Sequence, residues 1–253
     1  MKKRILLKIG SNTLTKETDQ ISRGKIEDIG RQIALLKNDY EFIVVSSGAI
    51  AAAKQFVRLE HNGGEINVKQ ALAAIGQPHL MRMFQESFRE LGLFSAQCLL
   101  SYSDFGNLKS KSNIKNTIDI LVSNNFIPII NENDTVAADE IQFGDNDKLA
   151  ALTAALLKVD LLMIATNTDG IYTKVSMEKG NPETIAKVTG LQELQAEIST
   201  SKSSHGTGGM TSKIEATTIA RNAGIETWVV NGLKDNFVVD ALENRSRHTR
   251  IDP

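Results

Sequence analysis

Six short aliphatic runs, separated by longer segments with helical spacing, constrain the fold of this 253-residue chain more than any other feature. The runs are nearly continuous in apolar character, as expected of parallel strands that helices cover on both faces. Between the first two runs, Ile26, Ile29, Ile33 and Leu36 mark one face of an amphipathic helix. This order predicts a doubly wound α/β fold that binds its ligands at the carboxyl ends of the strands. The runs are RILLKIG (4–10), EFIVVSSG (41–48), LFSAQCLL (93–100), FIPII (126–130), DLLMIAT (160–166) and ETWVVNG (226–232).

Charge and cysteine content exclude several classes of protein. Twenty-nine basic and thirty acidic residues give a net charge of −1, which argues against a broad surface for nucleic acid or anionic membrane. Cys98 is the single cysteine, so an internal disulfide is impossible, and its apolar surroundings predict a buried small hydrophobe. No apolar run approaches the roughly 20 residues of a membrane span or resembles a secretory signal. We therefore expect a cytoplasmic protein.

One interruption separates the fifth and sixth predicted strands. The segment 171–190 contains Gly180, Asn181 and Pro182 between two short β-like pieces, a pattern that predicts a hairpin. The chain shows no internal repeat, low-complexity segment or linker. We expect residues 1–253 to form a single domain.

Small and polar residues follow the first two predicted strands. Lys8 and Gly10 lie where a backbone turn and a point charge could approach an anion. After the second strand, Ser46, Ser47 and Gly48 precede a helix start. They are typical of an anion or carboxylate site, although ordinary capping of the helix by serine explains them equally well.

An acidic segment follows the fourth strand. Residues 131–147, NENDTVAADEIQFGDND, contain six carboxylates and three asparagines without a lysine or arginine. An exposed acidic loop is the simplest interpretation of this composition alone. Glu132, Asp139 and Glu140 are expected to be solvated.

Two more loops follow the fifth strand and precede the last helical segment. Thr168 and Asp169 form a turn by their chemistry alone. The segment SSHGTGGMTSKIEAT (203–217) combines clustered glycines with Lys213, as phosphate-binding loops do. Ser212 instead of glycine precedes the lysine, so the spacing is not that of a Walker A motif, and a flexible surface loop remains the alternative.

The four histidines show neither the spacing of zinc ligands nor a Ser-His-Asp arrangement, so zinc and hydrolytic chemistry are disfavoured and no protein-held metal site is predicted.

In combination, KIGSNTL, VSSGAIAAA, NENDTVAADEIQFGDNDKLAAL, TNTDGIYT and GTGGMTSK resemble the amino acid kinase family over essentially the whole chain. The resemblance is to the branch that phosphorylates the γ-carboxylate of free L-glutamate in proline biosynthesis. It implies a three-layer αβα sandwich around a mainly parallel sheet, with the glutamate site mainly in the N-terminal half and the ATP site mainly in the C-terminal half. It also implies Mg²⁺ carried mainly by the nucleotide, a homodimer or homotetramer, proline as feedback inhibitor, and the short form without a C-terminal PUA domain.

The resemblance also implies roles for individual residues. Lys8 and Lys213 are expected to stabilise the transferring phosphoryl group, and Asp147 is expected to orient both lysines. The glutamate-binding positions are Ser47, Asp134 and Asn146, and the ATP-binding positions are Lys8, Thr168, Asp169, Thr207, Gly208, Gly209, Met210, Thr211, Ser212 and Lys213.

Elementary chemistry supports these expectations. A side-chain carboxylate with a reference pKa of about 4.3 is already ionised at neutral pH, so such a nucleophile requires no general base. Two lysines close together would repel each other, and Asp147 between them would relieve that repulsion. Asp134 is expected to bind the α-ammonium of glutamate, Ser47 its α-carboxylate, and the Asn146 amide its side chain.

Two alternatives remain open at this stage. One is another amino acid kinase, such as N-acetylglutamate kinase, whose acceptor lacks the ammonium charge. The other is a non-catalytic amino-acid sensor with the same fold. The sequence also leaves open whether the acyl phosphate passes directly to γ-glutamyl phosphate reductase.

Overall fold

The computed structural model describes residues 2–59, 65–136, 146–190 and 209–253. Within these residues the six aliphatic runs are all strands, and two shorter strands join them in one sheet of eight. The fold is therefore α/β with a mostly parallel sheet, as predicted. The strands are β1 (Lys3–Ile9), β2 (Tyr40–Ser46), β3 (Phe94–Leu100), β4 (Phe126–Glu132), β5 (Leu161–Thr166), β6 (Lys187–Val188), β7 (Glu226–Asn231) and β8 (Thr249–Ile251).

The strand order is β3-β4-β2-β1-β5-β7-β8-β6, and the first six strands in this order are parallel. Among the described strands, β8 pairs antiparallel with β7 and β6 pairs in parallel with β8, so these two short strands run opposite to the other six. The carboxyl ends of the parallel strands therefore meet along one edge of the sheet. Polar residues that follow these strands are brought together there.

Helices cover both faces of the sheet, which gives the three layers expected. One apolar cluster buries α2, α4 and α9 against the sheet, and a second buries α5, α6 and α8 against the other face. None of the helices in the described ranges is long and apolar enough to cross a membrane. The helices are α1 (Ser11–Thr15), α2 (Arg23–Leu36), α3 (Ala49–Lys54), α4 (Glu65–Glu90), α5 (Leu108–Ser123), α6 (Asp147–Leu157), α7 (Lys174–Glu178), α8 (Gly209–Asn222) and α9 (Phe237–Leu242).

The alternation of side chains along β1 decides where Lys8 points. Ile5 and Leu7 belong to the cluster beneath α2 and α4, whereas Leu6 belongs to the cluster beneath α6 and α8. Because side chains on a strand alternate with a period of two, Lys8 lies on the same face as Leu6. The first strand therefore delivers a lysine to the side of the sheet where α6 and α8 begin.

The predicted hairpin at 171–190 is only partly correct. Tyr172 and Thr184 form one antiparallel bridge, and Gly180 makes a turn with φ of 69°. Between them, α7 replaces the first β-like piece, because the Thr173 side chain accepts a hydrogen bond from the Ser176 backbone N–H and starts a helix. The second piece is the two-residue strand β6, which pairs with β8 and not with its own hairpin partner.

Candidate active site

Three charged side chains from distant parts of the chain meet at the start of α6. Lys8 Nζ lies 2.6 Å from Asp147 Oδ1, and Lys213 Nζ lies 3.0 Å from Asp147 Oδ2. Asp147 is fully buried, Lys8 nearly so, and the side chain of Lys213 is 13% exposed. One carboxylate thus fixes the positions of two ammonium groups, whose mutual repulsion it offsets in a site of low dielectric.

Local structure explains why these groups can meet. The glycine turn after β1 lies close to the ammonium group of Lys8: a Cβ added at Gly10 would be 3.4 Å from Lys8 Nζ. Asp147 is the first residue of α6, so a short reach brings its carboxylate to the sheet edge. Ser212 Oγ also donates to Asp147 Oδ2, at 3.3 Å, which ties the first turn of α8 to the same carboxylate.

A second polar cluster lies beside the lysine pair, at the ends of β2 and β4. Asn146, the residue before Asp147, donates through Nδ2 to the Ser46 carbonyl at 3.2 Å and to Asn131 Oδ1 at 2.7 Å. Asn146 Oδ1, Ser47 Oγ and Asp134 Oδ1 are buried and have no hydrogen-bond partner within the described part of the chain. Since buried polar groups are almost always paired, this set of open atoms is typical of a ligand site.

Burial perturbs one of these groups strongly. Asp134 is 8% exposed, and burial raises its pKa to about 6. A carboxylate held in this way gains most from a cationic ligand, because the ligand's charge offsets the lost hydration. Its chemistry suits an ammonium group.

Two sequence expectations need correction at this cluster. The Asn146 amide was expected to orient the side chain of the substrate, but both hydrogen bonds of its Nδ2 are made within the protein, and only its Oδ1 is open as an acceptor. Glu132 was expected to be solvated, but it is the last residue of β4 and is 1% exposed. Asp139 and Glu140 lie outside the described residues.

The loops after β5 and β7 meet at the opposite end of the same edge. Asp169 Oδ1 accepts from Asn231 Nδ2 at 2.9 Å and lies 2.5 Å from Lys234 Nζ. Burial alone would raise the pKa of Asp169, but the hydrogen bonds from Lys234 and Asn231 outweigh it and hold the pKa below its usual value. Thr168 Oγ1 donates to the Gly170 carbonyl at 2.7 Å, so the predicted turn is formed.

The remaining predicted nucleotide residues are described only in part. Thr207 and Gly208 lie outside the described residues. Gly209 begins α8, and Met210 and Thr211 occupy its first turn with Ser212 and Lys213. Ile214 in the next position packs against an apolar cluster that contains Ile171 from the loop after β5 and Val229 of β7, so the start of α8 and that loop share one cluster.

Sequence reasoning missed three residues at this edge. Gln77 and Asn131 are buried members of the polar cluster, and Lys234 is the partner of Asp169. Gln77 lies in the middle of α4, where the sequence pattern alone predicts that a glutamine faces solvent. The available signal was the sequence Gly-Gln-Pro inside a long helical pattern, because glycine and proline are unfavourable there without a packing or functional reason.

Among the described residues, no group of three or more histidine, cysteine, aspartate or glutamate side chains is arranged to hold a metal ion.

Comparisons of the sequence with known proteins agree on one family. A sequence model described as the amino acid kinase family matches residues 3–231. The chain is 39% identical to a glutamate 5-kinase from Alkaliphilus metalliredigens over 249 residues, which cover 98% of this chain and 94% of that protein. It is 37% identical to a glutamate 5-kinase from Neisseria meningitidis, with 96% of this chain and 67% of that protein covered.

The fold is shared with more distant proteins. A solved structure of carbamate kinase from Giardia lamblia bound to AMP-PNP superposes with a TM-score of 0.69 over 99% of this chain and 98% of that one, at 16% sequence identity.

Proposed function

The chain belongs to the amino acid kinase family and groups within it with the glutamate 5-kinases, and from this premise we propose that it transfers the γ-phosphoryl group of ATP to the γ-carboxylate of L-glutamate. The product would be γ-glutamyl phosphate, the first intermediate of proline biosynthesis. The observation that carries the proposal is the contact of Lys8 and Lys213 with the two oxygens of Asp147.

The two lysines supply the charge that phosphoryl transfer requires. In the transition state, negative charge spreads over the oxygens of the transferring group, and an anionic nucleophile must approach it. Lys8 and Lys213 are held in advance by Asp147, so they stabilise this charge without reorganising. Asp147 is a positioning residue in this scheme. Because its one negative charge already pairs with two cations, it is poorly suited to act as a base.

The ATP site would extend from the lysine pair along the carboxyl edge. Lys8, Gly10 and the first turn of α8 fit a polyphosphate, because they combine two ammonium groups with a close backbone turn. We propose that Thr168, Asp169 and the run from Thr207 to Lys213 contact the nucleotide. Bound Mg²⁺ would screen the charge of the phosphates that carry it.

The glutamate site would be the polar cluster beside Asn146. Asp134 and the open Asn146 Oδ1 are acceptors that fit an α-ammonium group, and Ser47 Oγ is a donor that fits an α-carboxylate. In this arrangement the substrate's γ-carboxylate extends past Asn146 toward the lysine pair at Asp147. The N-terminal half then supplies most of the glutamate site and the C-terminal half most of the ATP site, within a single kinase domain.

Trapping with hydroxylamine tests this function directly. Purified protein with ATP, Mg²⁺ and L-glutamate should form γ-glutamyl hydroxamate, because hydroxylamine captures an acyl phosphate. N-acetylglutamate should be a poor acceptor, since a buried carboxylate beside its neutral acetamide gains nothing in return for its lost hydration. Comparable turnover of both acceptors would contradict the role given to Asp134.

Regulation by proline is part of the proposal. Proline shares with glutamate an α-carboxylate and a charged α-nitrogen, so it fits the same open donors and acceptors. Inhibition that competes with glutamate and not with ATP is the expected pattern. Direct transfer of the product to γ-glutamyl phosphate reductase and a cytoplasmic location remain predictions.

We also propose a homo-oligomer, either a dimer or a tetramer. The support is the edge strand β3, where Phe94 is 57% exposed, Leu99 is 40% exposed, and Phe126 of the neighbouring strand packs against Phe94 with ring centroids 5.8 Å apart. An apolar sheet edge of this kind favours association. Sedimentation velocity would measure the oligomeric state, and a monomer at all concentrations would contradict the proposal.

A further inference from the structure

A row of three buried side-chain amides runs from α4 to the start of α6. Asn146 Nδ2 donates to Asn131 Oδ1 at 2.7 Å, and Asn131 Nδ2 donates to Gln77 Oε1 at 2.8 Å. Asn131 and Asn146 are at most 1% exposed and Gln77 is 8% exposed. The row therefore links the middle of a long helix to the residue that precedes Asp147.

Two backbone groups fix the direction of this row. The Ser46 carbonyl can only accept, so the atom of Asn146 that faces it is the donor Nδ2. The backbone N–H of Glu132 can only donate, so the atom of Asn131 that receives it is Oδ1. The Nδ2 of Asn131 therefore faces Gln77, and the atom of Gln77 that accepts its hydrogen bond is Oε1. The open atom of Gln77 is consequently the donor Nε2, which is buried and has no hydrogen-bond partner among the residues that the structure describes.

The row therefore ends in a donor on one side and an acceptor on the other. Gln77 Nε2 and the Ser47 hydroxyl can donate, while Asn146 Oδ1 and Asp134 can accept. Each open atom costs free energy until a ligand pairs with it. A free α-amino acid offers the complementary set, because its carboxylate accepts and its ammonium donates from the same carbon atom.

Packing of α4 brings Gln77 into this position. A Cβ added at Gly76 would lie 1.8 Å from the Ala49 carbonyl oxygen, so the absence of a side chain lets α4 touch the backbone of α3. Gln77 follows Gly76, is buried, and accepts a hydrogen bond from Asn131 of β4. Close packing of α4 against α3 thus places the side chain of Gln77 in the polar cluster at the carboxyl edge of the sheet.

We propose that Gln77 binds the α-carboxylate of the acceptor amino acid through Nε2, an inference that rests on the proposed glutamate kinase function. Gln77 Oε1 at the same time holds the side chain of Asn131, which in turn orients Asn146 Oδ1 toward the α-ammonium group. One glutamine then serves both charged groups of the substrate. It contacts the carboxylate directly and positions the acceptor for the ammonium through a second amide. This makes Gln77 a residue that selects amino acids with a free α-carboxylate.

The variant Gln77→Glu tests the proposal, because it keeps the shape and the acceptor for Asn131 but replaces the donor by a carboxylate. The acceptors to compare are L-glutamate and L-isoglutamine, which has a neutral α-carboxamide and the same γ-carboxylate. The KM for glutamate should rise roughly 10- to 100-fold, as expected for the loss of a hydrogen bond to a charged group. We expect kcat and the KM for ATP to stay within about threefold, since neither lysine is altered.

The preference between the two acceptors is the decisive measurement. The ratio of kcat/KM for glutamate to that for isoglutamine should fall at least about 10-fold in Gln77→Glu, because a carboxylate at this position repels the α-carboxylate and accepts from the carboxamide. Gln77→Met loses both the hydrogen bond to the α-carboxylate and the one to Asn131. It should raise the KM for glutamate without making isoglutamine a better acceptor. Gln77→Met also tests the role of Gln77 if Gln77→Glu folds poorly.

A matched control is available in Gln32, another buried helix glutamine. Gln32 Nε2 donates to Asp28 Oδ2 at 2.9 Å and its Oε1 accepts from the Val238 backbone N–H at 2.7 Å, so these hydrogen bonds lie within α2 and between α2 and α9, and they involve no residue of the proposed substrate site. Gln32→Met should lower the melting temperature and leave the KM for glutamate unchanged. An equal loss for both acceptors in Gln77→Glu, or no loss, would make Gln77 a structural residue and overturn the proposal.

The same series separates this inference from the proposed function. Wild-type protein that forms no acyl phosphate from glutamate would contradict the function itself. Calorimetric titration of glutamate into wild type and Gln77→Glu then still tests Gln77: weaker binding by the variant supports the proposal, and equal binding or an absence of binding to both overturns it.

Discussion

Lys8 and Lys213 contact the two different oxygens of a single buried carboxylate, that of Asp147. One lysine lies near the end of the first strand and the other near the start of α8, so the two meet at the sheet edge only once the chain is folded. The carboxylate sets both the separation and the direction of the two ammonium groups.

Lys213→Ala should reduce kcat by roughly 10²-fold or more, by analogy with the loss of one preorganised donor to a transition state. Glutamate binding, measured by calorimetry, should be nearly unaffected because Lys213 lies on the phosphoryl side of Asp147. Lys148→Ala is the matched control, since Lys148 follows Asp147 but pairs with Glu215 at 2.7 Å on a half-exposed surface. Equal kcat in the two variants would remove Lys213 from the mechanism.

Asp147→Asn should destabilise the protein by about 3–5 kcal/mol, because it leaves two lysines without their shared counter-ion in a buried site. A non-hydrolysable ATP analogue should recover more stability in this variant than in wild type, since phosphate oxygens replace the missing negative charge. Thermal unfolding with and without the analogue measures both effects. A variant that is destabilised but gains no more than wild type from the analogue would contradict the placement of the phosphates beside these lysines.

Asp134→Asn should stabilise the ligand-free protein at neutral pH. Burial raises the pKa of Asp134 to about 6 in the folded state, so the folded protein binds a proton more tightly than the unfolded chain and loses stability as pH rises from about 4 to about 6. Above this window the penalty is at most about 3 kcal/mol, and asparagine removes it. Denaturant unfolding should show a gain at about pH 7.5 and none near pH 4, whereas a pH-independent difference would refute this linkage.

The same carboxyl group predicts a pH dependence of catalysis. As the pH is lowered through about 6, Asp134 becomes protonated and no longer attracts the substrate's ammonium group. In wild type, kcat/KM for glutamate should therefore decline below about pH 6 through an increase in KM. The decline should be absent from Asp134→Asn, whose KM for glutamate is high at every pH. If kcat/KM of the variant still fell below about pH 6, the decline would belong to another ionisable group.

Gly76→Ala should impair both stability and glutamate binding. The added methyl group would meet backbone atoms of Ala49 and Ala53, which cannot rotate away as a side chain could. Relief requires α4 to move away from α3, and this displaces Gln77. Gly106→Ala is a suitable control, because nothing lies within 4 Å of a Cβ at that position. We expect a lower melting temperature and a higher KM for glutamate only in Gly76→Ala.

The six longer strands were predictable because each is an aliphatic run of six or seven residues, and all but the edge strand β3 are largely buried between the helix layers. The short strands β6 and β8 were not, since two or three residues leave no pattern and their pairing depends on distant contacts. The predicted hairpin failed for a related reason. Val175 reads as a strand residue, but the Thr173 cap favours a helix over Lys174–Glu178.

The convergence of Lys8, Asp147 and Lys213 was expected because each follows or adjoins a strand end or a glycine-rich loop. Gln77 and Asn131 were not foreseen, because their role depends on which hydrogen bonds remain unfilled after folding. Burial of Glu132 was missed for the same reason, since an acidic segment gives no sign of which of its carboxylates ends a central strand.

Asn146 and Asp147 are joined by one peptide bond at the start of α6, yet the first faces the amino acid cluster and the second faces the lysines. Any movement of this turn would alter acceptor choice and chemical rate together. Evolution or design of a kinase with a new acceptor would therefore have to leave the turn intact and change Ser47, Gln77 or Asp134, which come to the polar cluster from separate parts of the fold.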